Sequence, residues 1–410
     1  MDSQSSSVLG LNPFAPGFYE DPYPQYAAIR ENEAVHHTSL GPWLVTRWDD
    51  VHQVLRRPGT SVEDRNIGEH VESRRRVLAE EHGAEARSLA ILNIDPPDHT
   101  RLRKLVSKAF TPRAVERIRH HVGVLTDDIL DDLSQHDEPV DLISELAFPL
   151  PFAVISEMLG MPDGDRDQLR EWSHTITQFL DPLLALENGP AILEALKHMH
   201  AAVADAIAWK RTRPQDDDLL QGLISAEEDG QVLSDRELVE NVTLLYLAGH
   251  ETTVNLIGNG VHALLQHRDQ LERLVSDPDL DVNAVEELLR YDSPVQFSRR
   301  ISLESFEFHD RTIRPGDLLM TCLGAANRDP RKFGPDAEKL DLTRPNAREH
   351  VSFGSGVHHC LGAALARLEG QEVIGRLVRR FPALEAAAPP THNGRMVLRG
   401  YDHLPVALGT

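Results

Sequence analysis

The run Phe353-Gly354-Ser355-Gly356-Val357-His358-His359-Cys360-Leu361-Gly362 sets one cysteine between a glycine-bearing loop and a predicted helix start. From Leu361 onward apolar residues recur at Leu361, Leu365, Leu368, Leu377 and Phe381, close to a helical period. A cysteine at a helix N-terminus sits among unpaired N–H groups at the positive end of the dipole, which favours its thiolate. The two upstream glycines let the backbone turn tightly and approach a flat group with no Cβ in the way. One anionic sulfur offered to a planar group is what a haem iron takes as an axial ligand. Two blander readings compete at this point. Cys360 can be a small buried hydrophobe, or it can bind zinc with His358 and His359. No Cys-x-x-Cys or His-x3-His partner accompanies it for zinc.

A second group of residues lies in the longest helical pattern, 234–266: Ala248-Gly249-His250-Glu251-Thr252-Thr253. Glycine inside a helix costs about 1 kcal/mol relative to alanine, and adjacent β-branched threonines add to that. A local rule broken deep within an element marks close packing or a functional groove. The functional reading is a gap for a diatomic ligand with a hydroxyl and a carboxyl beside it. Glu287 and Arg290 stand at i and i+3 on one helix face, and Asn327-Arg328-Asp329-Pro330 opens the irregular stretch before the cysteine loop. A buried ion-pair network there would pin that loop. After Asp95-Pro96-Pro97, with Asp98 as a cap, His99 and Arg103 fall at i and i+4 on one face, either as a solvated basic face or as a clamp on a carboxylate.

The elements that must position these groups are mostly helices. The pattern predicts helices near 99–108, 112–134, 140–159, 166–180, 189–211, 217–227, 234–266, 268–275, 281–291 and 360–380. Residues 1–30, rich in proline and aromatics, read as an irregular arm; Gly41–Trp48 reads as a strand; 60–92 reads as a long mobile loop with a short helix. A strand-rich patch covers 295–323, irregular chain runs to 357, and a β-like tail ends the chain. The fold class expected is mainly α, in one unit spanning 1–410. About 20–60 and 295–323 form its β-rich part, and about 98–291 and 324–380 its helical part.

Of 410 residues, 42 are Lys or Arg and 65 Asp or Glu, a net charge of −23 that argues against nucleic acid as a partner. Only Cys322 and Cys360 occur, so no disulfide scaffold is expected and a reducing cytoplasm fits. The first residues carry no signal-peptide pattern, and no apolar run approaches the roughly 18 residues of a membrane span. A soluble cytoplasmic protein with no membrane partner is the expectation.

Four motifs stand in order: Ala-Gly-x-Glu-Thr-Thr, Glu-x-x-Arg, Asn-Arg-Asp-Pro and Phe-Gly-x-Gly-x-His-x-Cys-x-Gly. Together they resemble the cytochromes P450, specifically the soluble bacterial kind of actinobacterial secondary metabolism, from about Asp21 to the C-terminus. The resemblance implies a P450 fold with haem b between the long central helix and the cysteine-loop helix. It implies that Cys360 is the metal ligand, that Glu251 and Thr252 are the catalytic acid and alcohol, and that Ala248 and Gly249 face the iron. His99, Arg103, Arg300 and His358 match positions that bind the haem propionates, Arg300 aligning better than Arg299. Phe353 and Gly362 match residues packed by the thiolate, and Glu287 and Arg290 the pair that shapes its loop.

The implied activity is insertion of one oxygen atom from O2 into a C–H bond of a small to medium hydrophobic substrate (polyketide or macrolide, terpenoid or steroid-like). No Gly-x-Gly-x-x-Gly follows a strand, so electrons are expected from a separate ferredoxin and ferredoxin reductase. Lys104, Lys108, Arg113, Arg367 and Arg376 are the candidate docking charges. Residues 60–92 and 172–200, Leu245, Ala248, Val295–Phe297 and Met396–Val397 are the expected pocket lining. Two alternatives are an epoxidising or phenol-coupling relative and a haem sensor or electron carrier without turnover. The second has no need of Glu251 and Thr252.

Overall fold

A computed structural model describes residues 11–38, 41–71, 88–161, 166–213, 218–228 and 230–409. The central helix, Asp235–Gln266, is its spine. Ser234 opens it with a capping box: its backbone N–H donates to Glu237 Oε2 at 2.8 Å while Glu237 N–H donates to Ser234 Oγ at 3.3 Å. Such a cap contributes about 1 kcal/mol. Leu238, Val242, Leu245 and Tyr246 bury the first half of this helix against Leu102, Leu105, Ile155, Met199 and Val203. Val254, Ile257 and Val261 bury the second half against Ile143, Leu146, Leu150, Leu365 and Leu377. Each such side chain contributes roughly 1.5–3 kcal/mol by leaving water. The helix Ala363–Arg380 packs beside it, and so does Asp281–Tyr291.

The five-stranded sheet sets Val35–His37, Trp43–Val45, Leu318–Cys322, Phe297–Ser302 and Thr60–Ser61 side by side in that order. Its pairing of Leu319 with Arg300 fixes which face Arg300 presents. Cys322, at the end of its strand, is fully buried in apolar core.

Several expected boundaries move. The N-terminal arm holds a helix, Tyr23–Asn32, because Pro24 falls in the first turn, where no N–H bond is lost. Tyr23, Tyr26, Ile29 and Arg30 form its buried face. Trp48–Arg56 is a second helix inside the stretch read as β-rich. Another expected helix starts at Pro182 rather than 189: Asp181 caps it, accepting from Leu183 N at 3.0 Å, and Pro190 is absorbed inside it. The expected 140–159 helix divides into the pair Val140–Asp141 in a strand, a π-turn Ile143–Ala147, and a helix from Pro149. The 112–134 helix breaks near Ile118. Short helices Leu323–Asn327 and Pro330–Phe333 occupy the stretch read as irregular. Much of the expected 60–92 loop, residues 72–87, lies outside the described residues.

Candidate active site

The cysteine loop is pinned from below. Arg290 and Glu287, both 0% exposed, form a two-pronged ion pair, Nε to Oε2 at 2.7 Å and Nη2 to Oε1 at 2.8 Å. Arg290 also donates to the carbonyls of Asn327, Ala337 and Lys339. Glu287 Oε1 accepts from Asp341 N and from Arg344 Nε. Removing one partner from such a buried pair typically costs about 3–5 kcal/mol, because the other charge is left without compensation. Asn327 carries the restraint onward, accepting from Val351 N at 2.7 Å and donating to Ser352 Oγ at 2.8 Å. The backbone then turns through Gly354 (φ +67°) and Gly356 (φ +73°), a left-handed pair that glycine adopts without strain. A Cβ on Gly356 would stand 2.8 Å from the Leu55 carbonyl.

Cys360 N–H donates to the Phe353 carbonyl at 2.9 Å, which closes the loop. The helix starts at Ala363 with Gly362 as its N-cap, slightly later than the spacing suggests. The N–H groups of Gly362 and Ala363 still reach the sulfur. The protein packed around the sulfur pushes the Cys360 thiol up although the side chain keeps an exposed face, and those N–H groups with Arg103 and Arg367 oppose that rise. The N–H groups at the helix end act in the direction the sequence predicts, toward the thiolate. A metal cation bonded to the sulfur would supply the missing charge. The Cys360 side chain is exposed, and so is Ala248 near the midpoint of the largely buried central helix.

His99, Arg103, Arg300 and His358 converge. The His99 and His358 rings lie 4.3 Å apart, and Arg103 Nη2 donates to the His359 carbonyl at 2.6 Å. Arg300, 4% exposed, donates among the described residues to the carbonyls of Arg299 and Leu55. Burial, then Arg299, pulls its pKa down to about 10. Burial, then Arg300, His99 and Arg103, pushes His358 down to about 3. Both ring nitrogens of buried His99 are unpartnered. Asp95 is the carboxylate near this group, and it is bound to Ser61 and to Val62 N. Arg299 points elsewhere, pairing with Asp64. Buried Arg300 and half-buried Arg103, with neutral His99 and His358 as donors and no carboxylate paired to them among the described residues, stand beside an accessible sulfur and call for a metal-centred group that carries carboxylates. Haem b, with iron and two propionates, fits both requirements, and an added Cβ on Gly362 would meet only Cys360 Sγ, at 4.0 Å.

On the central helix, Thr252 Oγ1 donates to the Ala248 carbonyl at 2.9 Å, bonding back one turn. A Cβ on Gly249 would lie 2.9 Å from Ile155 Cδ1, so close packing of a neighbouring helix explains that glycine. Glu251 is held at Oε1 by Arg395 Nη1, 3.0 Å away, and its Oε2 lies 3.9 Å from His250 Nε2.

Other expected residues part company. Arg367 is paired with Glu286, and Arg376 with Asp127 and Glu372, so neither is a spare docking charge. Lys104 and Arg113 are exposed, and Lys108 donates to the Glu227 carbonyl. His198 stacks on Trp172 and pairs with Glu194, while Met199 is core. Among the expected lining, Leu245, Phe297, Met396 and Val397 are buried. Two polar residues escaped sequence reasoning. Arg395 carries no periodic signal, only the Asn393-Gly394 turn before it. Glu369 was readable: it shares a helical face with Leu365 and Val373. Among the described residues no cluster of three or more His, Cys, Asp or Glu is placed to hold a metal ion, and no helix is long and apolar enough to cross a membrane.

The Cytochrome P450 family model matches residues 44–279 and 280–400. Cytochrome P450 107B1 of Saccharopolyspora erythraea is 44% identical, with 99% of each chain covered. The vitamin D(3) 25-hydroxylase of Pseudonocardia autotrophica is 41% identical, over 97% of this chain and 96% of its own. The solved structure of the Bacillus subtilis bacillaene polyketide synthase cytochrome P450 PksS superposes with a TM-score of 0.87 at 36% identity, over 97% of this chain and all of that one. A pinned cysteine loop, a cation cluster fitted to propionates and likeness along nearly the whole chain lead to one assignment: the chain belongs to the cytochrome P450 family, and it is a haem b-binding oxidoreductase acting on small molecules with O2.

Proposed function

We propose that this protein inserts one atom of O2 into a C–H bond of a small to medium hydrophobic molecule of polyketide or macrolide, terpenoid or steroid type. The observation that carries this reading is the acid and alcohol, Glu251 and Thr252, side by side on the central helix. A haem sensor or electron carrier has no use for proton donors there. Likeness to a polyketide synthase cytochrome P450 and to a vitamin D(3) 25-hydroxylase supports the substrate class.

Haem b, when bound, supplies oxygen binding and redox chemistry, and a thiolate ligand favours cleavage of the O–O bond. Cys360 Sγ would hold the iron, and His99, Arg103, Arg300 and His358 would hold the propionates. Phe353 and Gly362 shape the space around the sulfur, and Glu287 with Arg290 keeps the loop beneath it rigid. Ala248 leaves the opposite side uncrowded, whereas Gly249, expected beside it, instead admits Ile155 of the neighbouring helix. Thr252 spends its proton on the Ala248 carbonyl, which turns its oxygen into an acceptor for a neighbouring donor. Glu251 then moves protons inward toward that oxygen. Leu245, Phe297, Met396 and Val397 exclude water from the substrate.

Electrons reach the protein singly from a separate ferredoxin and its reductase, with Lys104, Lys108 and Arg113 receiving an acidic partner. Cytoplasmic residence accords with two free cysteines. Turnover under isotopically labelled dioxygen, with substrates first found by their shift of the haem absorption band, tests the reaction. One labelled oxygen per product is expected. Product labelled only from water would refute it.

A further inference from the structure

We propose that Arg395 is a positioning residue that couples closure of the chain segment 166–181 to the placement of the Glu251 carboxylate. The inference rests on Glu251 serving as the acid, and it extends that reading to what controls the acid.

Arg395 is 4% exposed and bonds to two helices at once. Its Nη1 donates to Glu251 Oε1 of the central helix at 3.0 Å and to Thr177 Oγ1 at 2.8 Å. Its Nη2 donates to the His174 carbonyl at 3.1 Å and faces the His174 ring at 3.0 Å. Thr177 and His174 belong to the last turn of the helix Arg166–Thr177. The next residue, Met396, donates its N–H at 2.6 Å to Asp181 Oδ2, the cap of the following helix. One guanidinium and one adjoining amide thus fasten the whole bend between those two helices.

The mount of Arg395 is rigid. Asn393 Nδ2 donates to the Leu398 carbonyl at 2.9 Å, and its Oδ1 accepts from Arg395 N at 3.2 Å across the Gly394 turn. Val397 and Leu398 pair with Gln296 and Val295, and Arg399 N–H reaches the Pro294 carbonyl. Arg395 is therefore a fixed post on which the bend at 174–181 docks.

Charge makes the two contacts interdependent. Among the described residues Glu251 is the one carboxylate bonded to Arg395. His174 stays neutral beside it, held so by burial and then by the guanidinium itself, so its ring is an acceptor. Arg170 on the same helix and Asp402 on the C-terminal tail are the other charges that face His174. A guanidinium buried this deeply keeps its fork geometry only while its charge is balanced and its donors are used. Docking of Thr177 and His174 orders the fork that holds Glu251, and the charge of Glu251 steadies the fork that holds Thr177 and His174. Coupling between two binding events is reciprocal. The acid is thus correctly held when the substrate is enclosed, which limits wasteful use of reductant in the open state.

Amide hydrogen exchange on the haem-loaded ferric protein reads this coupling without turnover. Glu251→Gln, a change confined to the central helix, is expected to speed exchange at 174–181 at least about 5-fold, the lower end of measured couplings. Arg395→Ala is expected to do the same and to lower product formed per electron. Arg395→Lys keeps the charge, and it covers the case in which the alanine variant does not fold; partial restoration of both readouts is expected. The double variant Arg395→Ala with Glu251→Gln should exchange no faster than either single one. Unchanged exchange at 174–181 in Glu251→Gln, or additive effects in the double variant, would overturn the coupling. An undiminished product yield per electron in Glu251→Gln would instead sink the role of Glu251 as the acid and leave the exchange result to stand or fall separately.

Discussion

Thr253 Oγ1 lies 3.2 Å from Glu369 Oε2, a polar contact that joins the central helix to the helix behind the cysteine loop. The same hydroxyl is 3.2 Å from the Gly249 carbonyl. Burial raises the Glu369 carboxyl to about 8, against a small opposing pull from Thr253, so the group is neutral in the fold at pH 7. Its other oxygen, Oε1, has no partner. A neutral acid fits where an unpaired carboxylate would be costly.

That neutrality has a consequence for stability. Between the ordinary value of 4.5 and about 8 the native chain keeps a proton that the unfolded chain has lost. Stability contributed by this group is present below 4.5 and falls as pH rises through that window, by on the order of 1 kcal/mol per pH unit. Glu369→Gln removes the slope. Its melting temperature should match the parent near pH 5 and exceed it increasingly toward pH 8. Parallel pH profiles for the two proteins would rule out a neutral buried Glu369.

The cluster of Arg300, Arg103 and the two histidines makes a separate claim, since among the described residues Arg300 donates to carbonyls while its neighbour Arg299 already has Asp64. Arg300→Met should speed haem transfer to an acceptor protein by roughly 10- to 100-fold, the scale of one charged hydrogen bond of about 1.5–3 kcal/mol. Arg299→Met should change it little. The reverse ranking would move the propionate contact to the other arginine.

Thr252→Ala should leave haem bound and the fold intact, because the hydroxyl bonds only within its own helix. Product per electron should fall several-fold while electron consumption continues, a loss in the range of one acid–base group. The ratio of product to reductant consumed checks this. An unchanged ratio would contradict the proton-delivery role.

Much of the molecule was legible because its chemistry breaks local rules. Gly249 in mid-helix, paired threonines after Glu251 and a cysteine behind two glycines all stand out against helix propensity. The resemblance supplied the rest of the site, and the structure brings His99, Arg103, Arg300 and His358 together from three separated stretches. What stayed hidden depends on partners distant in sequence. Arg367 and Arg376 read as docking charges until Glu286, Asp127 and Glu372 were seen to use them. Arg395 meets Glu251 and Thr177 from more than a hundred residues away. Helix starts were misjudged where proline reads as a breaker yet sits in a first turn, as Pro24 does.

The sulfur of Cys360 as ligand to haem iron is tested most directly by the absorption spectrum of freshly purified, reduced protein under carbon monoxide. The strongly red-shifted band of thiolate coordination is expected, and it should vanish in Cys360→His without loss of the fold. A wild-type spectrum typical of a neutral axial ligand in undamaged protein would contradict the account at its root.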